Sequence, residues 1–328
     1  MKLSQAGELS LLEILRKRFG SRPRGVLVGI GDDAAVISAG KNILLTTDMM
    51  VEGVHFDLSW TTPFQLGFKL VSVNISDIYA MGGIPQYVLL NFSAHRNCSR
   101  EFFDQFFDGI EEALKTYGVI LIGGDISSAE RIMLSLTAVG TGGNVLKRKG
   151  ARVGDRIYVT GNLGDSACGL AMLRRIRRTI DFTKRGRRGL PVTWDVAAPL
   201  LRRHLMPLAR NPKRILHAAT AMIDISDGLI IDLSRLCTES GVGARIQLSH
   251  IPVSKEMKAT AACLEISARD LALSGGEDYE LLFTAPAKAK VKAFCIGEIT
   301  RAGISVVDDN GKRIKVSARG YQHFSLQG

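Results

Sequence analysis

Ala221–Met–Ile–Asp–Ile–Ser–Asp–Gly228, followed by Leu229–Ile–Ile–Asp–Leu–Ser–Arg–Leu–Cys237, sets an apolar strand directly before a helical run. Asp224 falls at the strand end, and Ser226 and Asp227 fall at the helix N-terminus. A helix cap accounts for one of these oxygen-bearing side chains but not for three converging on one mouth. Carboxylates flanked by apolar strand residues are costly to bury unless a cation or a donor offsets them. The same habit recurs in Val26–Leu–Val–Gly–Ile–Gly–Asp–Asp33, at Asp48 after the strand Asn42–Thr47, at Asp77, in Gly123–Gly–Asp125, and in Ser274–Gly–Gly–Glu–Asp278.

Asp32, Asp33, Asp48, Asp77, Asp125, Asp224 and Asp227 thus sit at or beside glycine- and serine-rich breaks, without lysines next to them. Asp beside Gly is also ordinary turn chemistry, and for any single residue the two readings stand level. For the set, metal is favoured. Mg²⁺ takes one or two carboxylates and shares its other positions with water and substrate phosphates, so the pattern implies Mg²⁺ and a phosphorylated substrate.

At 328 residues the chain suggests about two domains. The glycine-rich, basic stretch 140–150 marks the boundary, giving 1–148 and 149–328. The first half reads as β/α alternation: an amphipathic helix over 1–15, the strand Gly25–Ile30, the strand Asn42–Thr47, a helix over 64–81 and the strand Gln86–Ser93. A helix Arg100–Tyr117 and the strands Val119–Ile122 and Ile132–Val139 follow, with residues 123–128 as a loop. Asn74 and Asp77, three apart, share a helix face. In the second half the strand Arg156–Thr160 turns through Gly161–Gly164 into a helix near Asp165–Leu173. That turn suits an anion and equally an ordinary strand–helix connection. The strand Tyr279–Thr284 comes later.

Five scattered cysteines, none spaced C-x-x-C, indicate neither a disulfide framework nor a zinc site and fit a reducing cytoplasm. Glu8 and Glu13 interrupt what a signal peptide would need to be apolar, and no run approaches the roughly 18 residues of a membrane span. Of the formal net charge of +11, residues 174–190 carry +7, with eight basic residues against Asp181 alone. This run has one aromatic, Phe182, and reads as a solvated loop rather than a nucleic-acid reader. An RNA-binding module using Arg174–Arg188 is the competing reading from another class. There is no P-loop, no kinase signature and no histidine pair with zinc spacing.

Several motifs together resemble the thiamine-monophosphate kinase family, of the superfamily that includes aminoimidazole ribonucleotide synthetase. They are Gly7–Glu8, Gly29–Ile–Gly–Asp–Asp33, Thr46–Thr–Asp48, Glu52–Gly–Val–His–Phe56, Val73–Asn–Ile–Ser–Asp77 with Ala80–Met–Gly82, and Gly123–Gly–Asp125. Later come Gly150–Ala–Arg–Val–Gly–Asp155, Thr160–Gly–Asn–Leu–Gly–Asp165, Asp224–Ile–Ser–Asp–Gly228, Ser274–Gly–Gly–Glu–Asp–Tyr279 and Gly320–Tyr–Gln–His–Phe324.

The resemblance implies an α/β (α+β) two-domain fold like that of aminoimidazole ribonucleotide synthetase. An N-terminal sheet domain binds ATP and Mg²⁺ and dimerises, and a larger C-terminal α/β domain follows. It implies transfer of the γ-phosphoryl of ATP to thiamine monophosphate, the last step of thiamine diphosphate biosynthesis, by a cytoplasmic homodimer that binds neither nucleic acid nor membrane. The acceptor phosphate is already largely ionised, its second pKa being about 6, so no catalytic base is expected. Metal contacts would come from Asp33, Thr46, Thr47, Asp48, Asp77, Asp125, Asp224 and Asp227. ATP contacts would come from Asp33, Gly124, Asp125, Arg148 and Ser226, and thiamine contacts from His55, Glu277 and Tyr321. Other enzymes of the superfamily compete. No Cys precedes the first Gly–Asp loop, against a selenophosphate synthetase, and no terminal Cys follows Phe324, against the hydrogenase-maturation protein.

Overall fold

The computed structural model describes residues 26–28, 32–38, 42–182 and 189–314. The expected helix over 1–15, the motifs at Gly7, Gly29–Gly31 and Gly320–Phe324, Tyr321, and residues 183–188 of the basic run lie outside them.

Two sheets organise the chain. The first has the order β1-β2-β3-β6-β4-β5, with β1 at Val26–Val28, β2 at Ala35–Ser38, β3 at Asn42–Val51, β4 at Ile84–Ala94, β5 at Ile120–Ser128 and β6 at Met133–Gly142. Helices α1 (Pro63–Ala80) and α2 (Arg100–Tyr117) pack against one face, which carries Leu44, Met50, Val88, Leu90, Leu134 and Leu136 in its core. α1 opens on a capping box: Gln65 N–H donates to Thr62 Oγ1 and Thr62 N–H donates to Gln65 Oε1. α2 is capped by Ser99 and ends on Gly118 at φ 66°, the left-handed position that favours glycine. The two helices meet backbone to backbone: a Cβ on Gly67 would strike the Phe106 carbonyl, and one on Gly109 would strike that of Phe64.

Among the described residues nothing covers the other face of this sheet, where Met49, Tyr87, Leu89 and Met133 are exposed. The edge strand β5 adds Ile120, Ile122 and Ile126, which are 59%, 55% and 64% exposed.

The second sheet has the order β13-β12-β9-β11-β7-β10-β8, from β7 (Arg156–Val159), β8 (Ala221–Asp224), β9 (Gly243–Gln247), β10 (Leu281–Ala285), β11 (Phe294–Thr300), β12 (Ile304–Val307) and β13 (Arg313–Ile314). Its pairings are antiparallel apart from β12 with β9. One face supports α3 (Asp165–Ile176), α4 (Trp194–Leu205), α5 (Leu229–Ser240), α6 (Lys255–Cys263) and α7 (Ala268–Ser274). The other face buries Tyr158, Met222, Leu281 and Phe283 against Ala80, Leu146 and Ile215. β8 and β10 are therefore buried on both sides, which is why Ala221–Asp224 reads as a continuous apolar run ending in a carboxylate. Among the described residues no helix is long and apolar enough to cross a membrane.

The structure corrects two expected boundaries. β3 runs through Asp48 to Val51, because Thr46–Val51 keeps its ladder with β6. Gly123–Gly124–Asp125 lies inside β5 rather than in a loop, since Gly123, Gly124 and Asp125 stay in register with Leu89, Leu90 and Asn91.

Candidate active site

Alternation along β3 points Leu44, Thr46, Asp48 and Met50 toward α1. There the Thr46 hydroxyl donates to Asp77 Oδ2 at 2.6 Å, and the Asp48 N–H donates to Asn74 Oδ1 at 3.0 Å. Asn74 and Asp77 do share the helix face that meets the strand. α1 also reaches the second sheet, where the Ser76 hydroxyl donates to Asp224 Oδ2 at 2.6 Å. Asp33, just before β2, is spanned by the Arg148 guanidinium, with Nε on Oδ2 at 3.0 Å and Nη2 on Oδ1 at 2.8 Å. The Arg148 N–H donates to Asp32 Oδ1.

Asp33, Asp77 and Asp224 thereby present carboxylate oxygens that all lie within 4.8 Å of one another. Three segments distant in sequence meet here, one of them from the second half of the chain.

These carboxylates disfavour one another's charge. Burial pushes Asp77 well above the usual carboxylate range, with Asp48, Asp224 and Asp33 adding to it. Burial, then Asp33, does the same to Asp224. Asp48 rises to about 6 through burial and its neighbours Asp227 and Asp33, so Asp48 and Asp227 border the trio. Like charges this close favour protonation of some members unless a cation sits among them. An all-oxygen donor set is what a hard divalent cation prefers.

The Ser226–Asp227–Gly228 turn is held by a residue that the sequence reading missed. Asp232 Oδ2 accepts the N–H groups of all three at 3.1 to 3.2 Å. Arg235 Nη1 then bridges Asp232 Oδ1 at 2.8 Å and Asp227 Oδ2 at 2.6 Å. The N–H groups of Ser226, Asp227 and Gly228 are thus already used. Asp232 reads in sequence as an ordinary first-turn acid of α5, and only the tight turn reveals its role.

Glu277 pairs with two residues that no motif flagged. Lys69 Nζ lies 2.7 Å from Oε1, and His204 Nδ1 lies 3.1 Å from Oε2. Despite burial, Lys69 and then His204 hold the Glu277 carboxyl far below its usual range. Burial, then Lys69, keeps the His204 pKa low. The anion-binding turn at Gly161–Gly164 has its anion from the chain itself, since Asp278 accepts the N–H groups of Gly164 and Ser166 at the start of α3. Glu280, fully buried, is enclosed by Arg203, Arg210 and Thr160.

Other expected residues stand apart. The Thr47 side chain faces the side of the sheet away from α1, bonding the Leu136 carbonyl and the Thr137 hydroxyl, and so points away from the cluster. Gly124 and Asp125 sit on edge strand β5, three strand spacings from β3, roughly 14 Å at the usual separation. A Cβ on Gly124 would strike the Leu90 carbonyl, which explains this glycine without a ligand. His55 lies on the turn after β3, where its Nδ1 accepts the Val51 N–H at 3.0 Å.

Residues 31–142 match the family of AIR synthase related proteins, N-terminal domain, and residues 152–310 match the C-terminal domain of the same group. Thiamine-monophosphate kinase of Aquifex aeolicus is 36% identical over 99% of this chain and 100% of its own length. That of Buchnera aphidicola subsp. Schizaphis graminum is 38% identical over 97% and 99%. The solved structure of AaThiL complexed with AMPPCP and TMP matches with a TM-score of 0.86 at 34% identity, covering 98% of this chain and 99% of that one. The two-sheet architecture, the carboxylates gathered between its halves and the end-to-end similarity lead to one conclusion: this chain belongs to the thiamine-monophosphate kinase family, within the AIR synthase related proteins.

Proposed function

We propose that the protein transfers the γ-phosphoryl group of ATP to thiamine monophosphate, giving thiamine diphosphate and ADP, the last step of thiamine diphosphate biosynthesis. The observation that carries this reading is the convergence of Asp33, Asp77 and Asp224 within 4.8 Å, in a chain whose relatives are named for this reaction.

Both reactants are highly anionic, and phosphoryl transfer depends on positioning and charge neutralisation rather than on covalent chemistry by the protein. Asp33, Asp48, Asp77, Asp224 and Asp227, with the Thr46 hydroxyl beside them, would hold Mg²⁺. When bound, the metal neutralises phosphate charge and orients the triphosphate for in-line transfer. Arg148, within reach of the same carboxylates, contributes a fixed positive charge toward the nucleotide phosphates. The Ser226 hydroxyl contributes a donor from the other half. The acceptor oxygen needs no deprotonation at neutral pH, so this reading assigns no general base.

The division into an ATP- and Mg²⁺-binding part over 1–148 and a C-terminal part over 149–328 belongs to this reading. So does a cytoplasmic homodimer. The dimer is supported by the exposed isoleucines of β5 and by the apolar sheet face that the described residues leave uncovered. In it, Gly124 and Asp125 belong to the paired edge rather than to the cluster of their own chain. His55 and Tyr321 remain the proposed thiamine contacts.

The test is a Mg²⁺-dependent assay with ATP and, in turn, thiamine monophosphate, thiamine and aminoimidazole precursors. Thiamine diphosphate formed from the monophosphate alone is expected. ATP binding without turnover of any thiamine compound would move the function to another member of the superfamily.

A further inference from the structure

Lys69 is a lysine in the middle of α1 with a side chain only 4% exposed. An ammonium is rarely taken so far from water unless it is paired, and Lys69 spends its charge across the boundary between the two sheets, on Glu277. The same stripe of α1 sends Gln65 Nε2 to the Ile180 carbonyl at 2.7 Å and the Ser76 hydroxyl to Asp224. Residues 65, 69 and 76 are spaced to lie on one helix face, so α1 grips the second half of the chain at three points, with Lys69 as its charged one.

Glu277 is held in an unusual backbone. Its φ is 63°, and Tyr279 two residues on has φ 49°, a region that L-residues adopt only when their surroundings dictate it. From that conformation the Glu277 N–H donates to the Ser226 carbonyl at 2.7 Å, and the Tyr279 N–H donates to the Ile225 carbonyl at 2.9 Å. A glycine at 276 is required, since a Cβ there would lie 2.6 Å from the Ser226 oxygen. The segment 277–279 is therefore the splint against which Ile225–Ser226 lies, next to Asp224 and Asp227. With both carboxylate oxygens engaged by Lys69 and His204, Glu277 has no free charge to offer a cationic ring.

We infer that Lys69 is a positioning residue for the proposed reaction: by fixing Glu277 across the boundary it sets the Ser226–Asp227 turn in register with Asp33 and Asp77. Glu277 acts through its main chain rather than as a receptor for the thiazolium charge. This rests on the kinase reading above and deepens it.

The experiment compares wild type with Lys69→Met and with the double variant Lys69→Met/Glu277→Gln. The double variant removes both charges and leaves none buried alone, so it keeps the test available if the single variant fails to fold. Two quantities are read: steady-state kinetics for thiamine monophosphate, and the rise in melting temperature caused by Mg²⁺ with a non-hydrolysable ATP analogue. Misplacement of reacting groups by about 1 Å costs on the order of 100-fold in rate. The expected result for the folded variants is therefore a kcat lower by about that factor, a KM for thiamine monophosphate changed less than threefold, and less than half of the wild-type thermal response. A folded double variant with wild-type kcat and thermal response would overturn the inference. So would a large rise in KM at unchanged kcat, which would make Glu277 a direct substrate contact. If the wild type makes no thiamine diphosphate, the reaction assignment fails, while the Mg²⁺ and nucleotide response still judges Lys69.

Discussion

Asp48→Asn should stabilise the metal-free protein while abolishing turnover. Asp48 is raised from 3.8 to about 6 in the fold, chiefly by burial and then by Asp227 and Asp33. The folded state therefore holds this proton more tightly than the unfolded chain does. Well below pH 4 both states are protonated and Asp48 costs nothing. As pH rises through 4 to 6 the unfolded carboxyl ionises freely while the folded one resists, and above 6 the full penalty is present. A shift of about 2 pKa units corresponds to about 3 kcal/mol. An asparagine keeps the shape and leaves the Asp48 N–H bond to Asn74 intact. At roughly 2 °C per kcal/mol for a chain of this size, the variant should melt about 6 °C higher than wild type at pH 8 in EDTA, with the difference shrinking toward zero as the pH falls to roughly 3. Circular dichroism melts at both pH values, with product formation measured in parallel, decide it. Equal or lower melting temperature at pH 8, or a difference that does not change with pH, would refute the reasoning, and so would a variant with full activity.

Two further outcomes test the packing and the assembly. Gly109→Ala forces a methyl group into the Phe64 carbonyl across the α1–α2 contact and should cost about 1–3 kcal/mol of stability in urea unfolding; an unchanged midpoint would mean that the helices have slack. Ile126→Lys on the exposed edge strand should convert a dimer to monomers in sedimentation velocity without lowering monomer stability, and a wild-type sedimentation coefficient would move the interface elsewhere.

Much of the architecture is legible in the sequence because periodicity and punctuation agree there. Ser99 and Gly118 bracket α2, which spans Arg100–Tyr117 as its spacing indicates. The apolar run before Asp224 becomes a strand buried on both faces. The glycine pair at 123–124 misleads, since paired glycines signal a break by local rules, whereas here the ladder with β4 and the approach of the Leu90 carbonyl explain them. The acidic cluster is half visible: each aspartate marks itself by standing between an apolar run and a turn, and the i, i+3 spacing of Asn74 and Asp77 predicts their common face.

What the sequence hides is pairing over long separations. Lys69 with Glu277, and Glu280 within Arg203 and Arg210, are set by tertiary contact, and no local spacing announces them. Asp232 is close in sequence to Ser226–Gly228, and only the tight turn folds it back on them. Thr46 and Thr47 are adjacent and look equivalent, yet strand alternation sends one to Asp77 and the other to the opposite face. The same accounting explains why the turn at Gly161–Gly164 needs no external anion: Asp278 occupies it.

If the carboxylates joined between the two halves hold the metal with which ATP is used, removing one of them must remove bound metal. The most direct measurement titrates Mn²⁺, as a paramagnetic stand-in for Mg²⁺, into wild type and Asp224→Asn with a non-hydrolysable ATP analogue present, following free Mn²⁺ by electron paramagnetic resonance. Wild type should bind Mn²⁺ tightly and stoichiometrically, and the variant should lose at least one bound ion together with turnover. Identical binding curves for the two proteins would contradict that assignment.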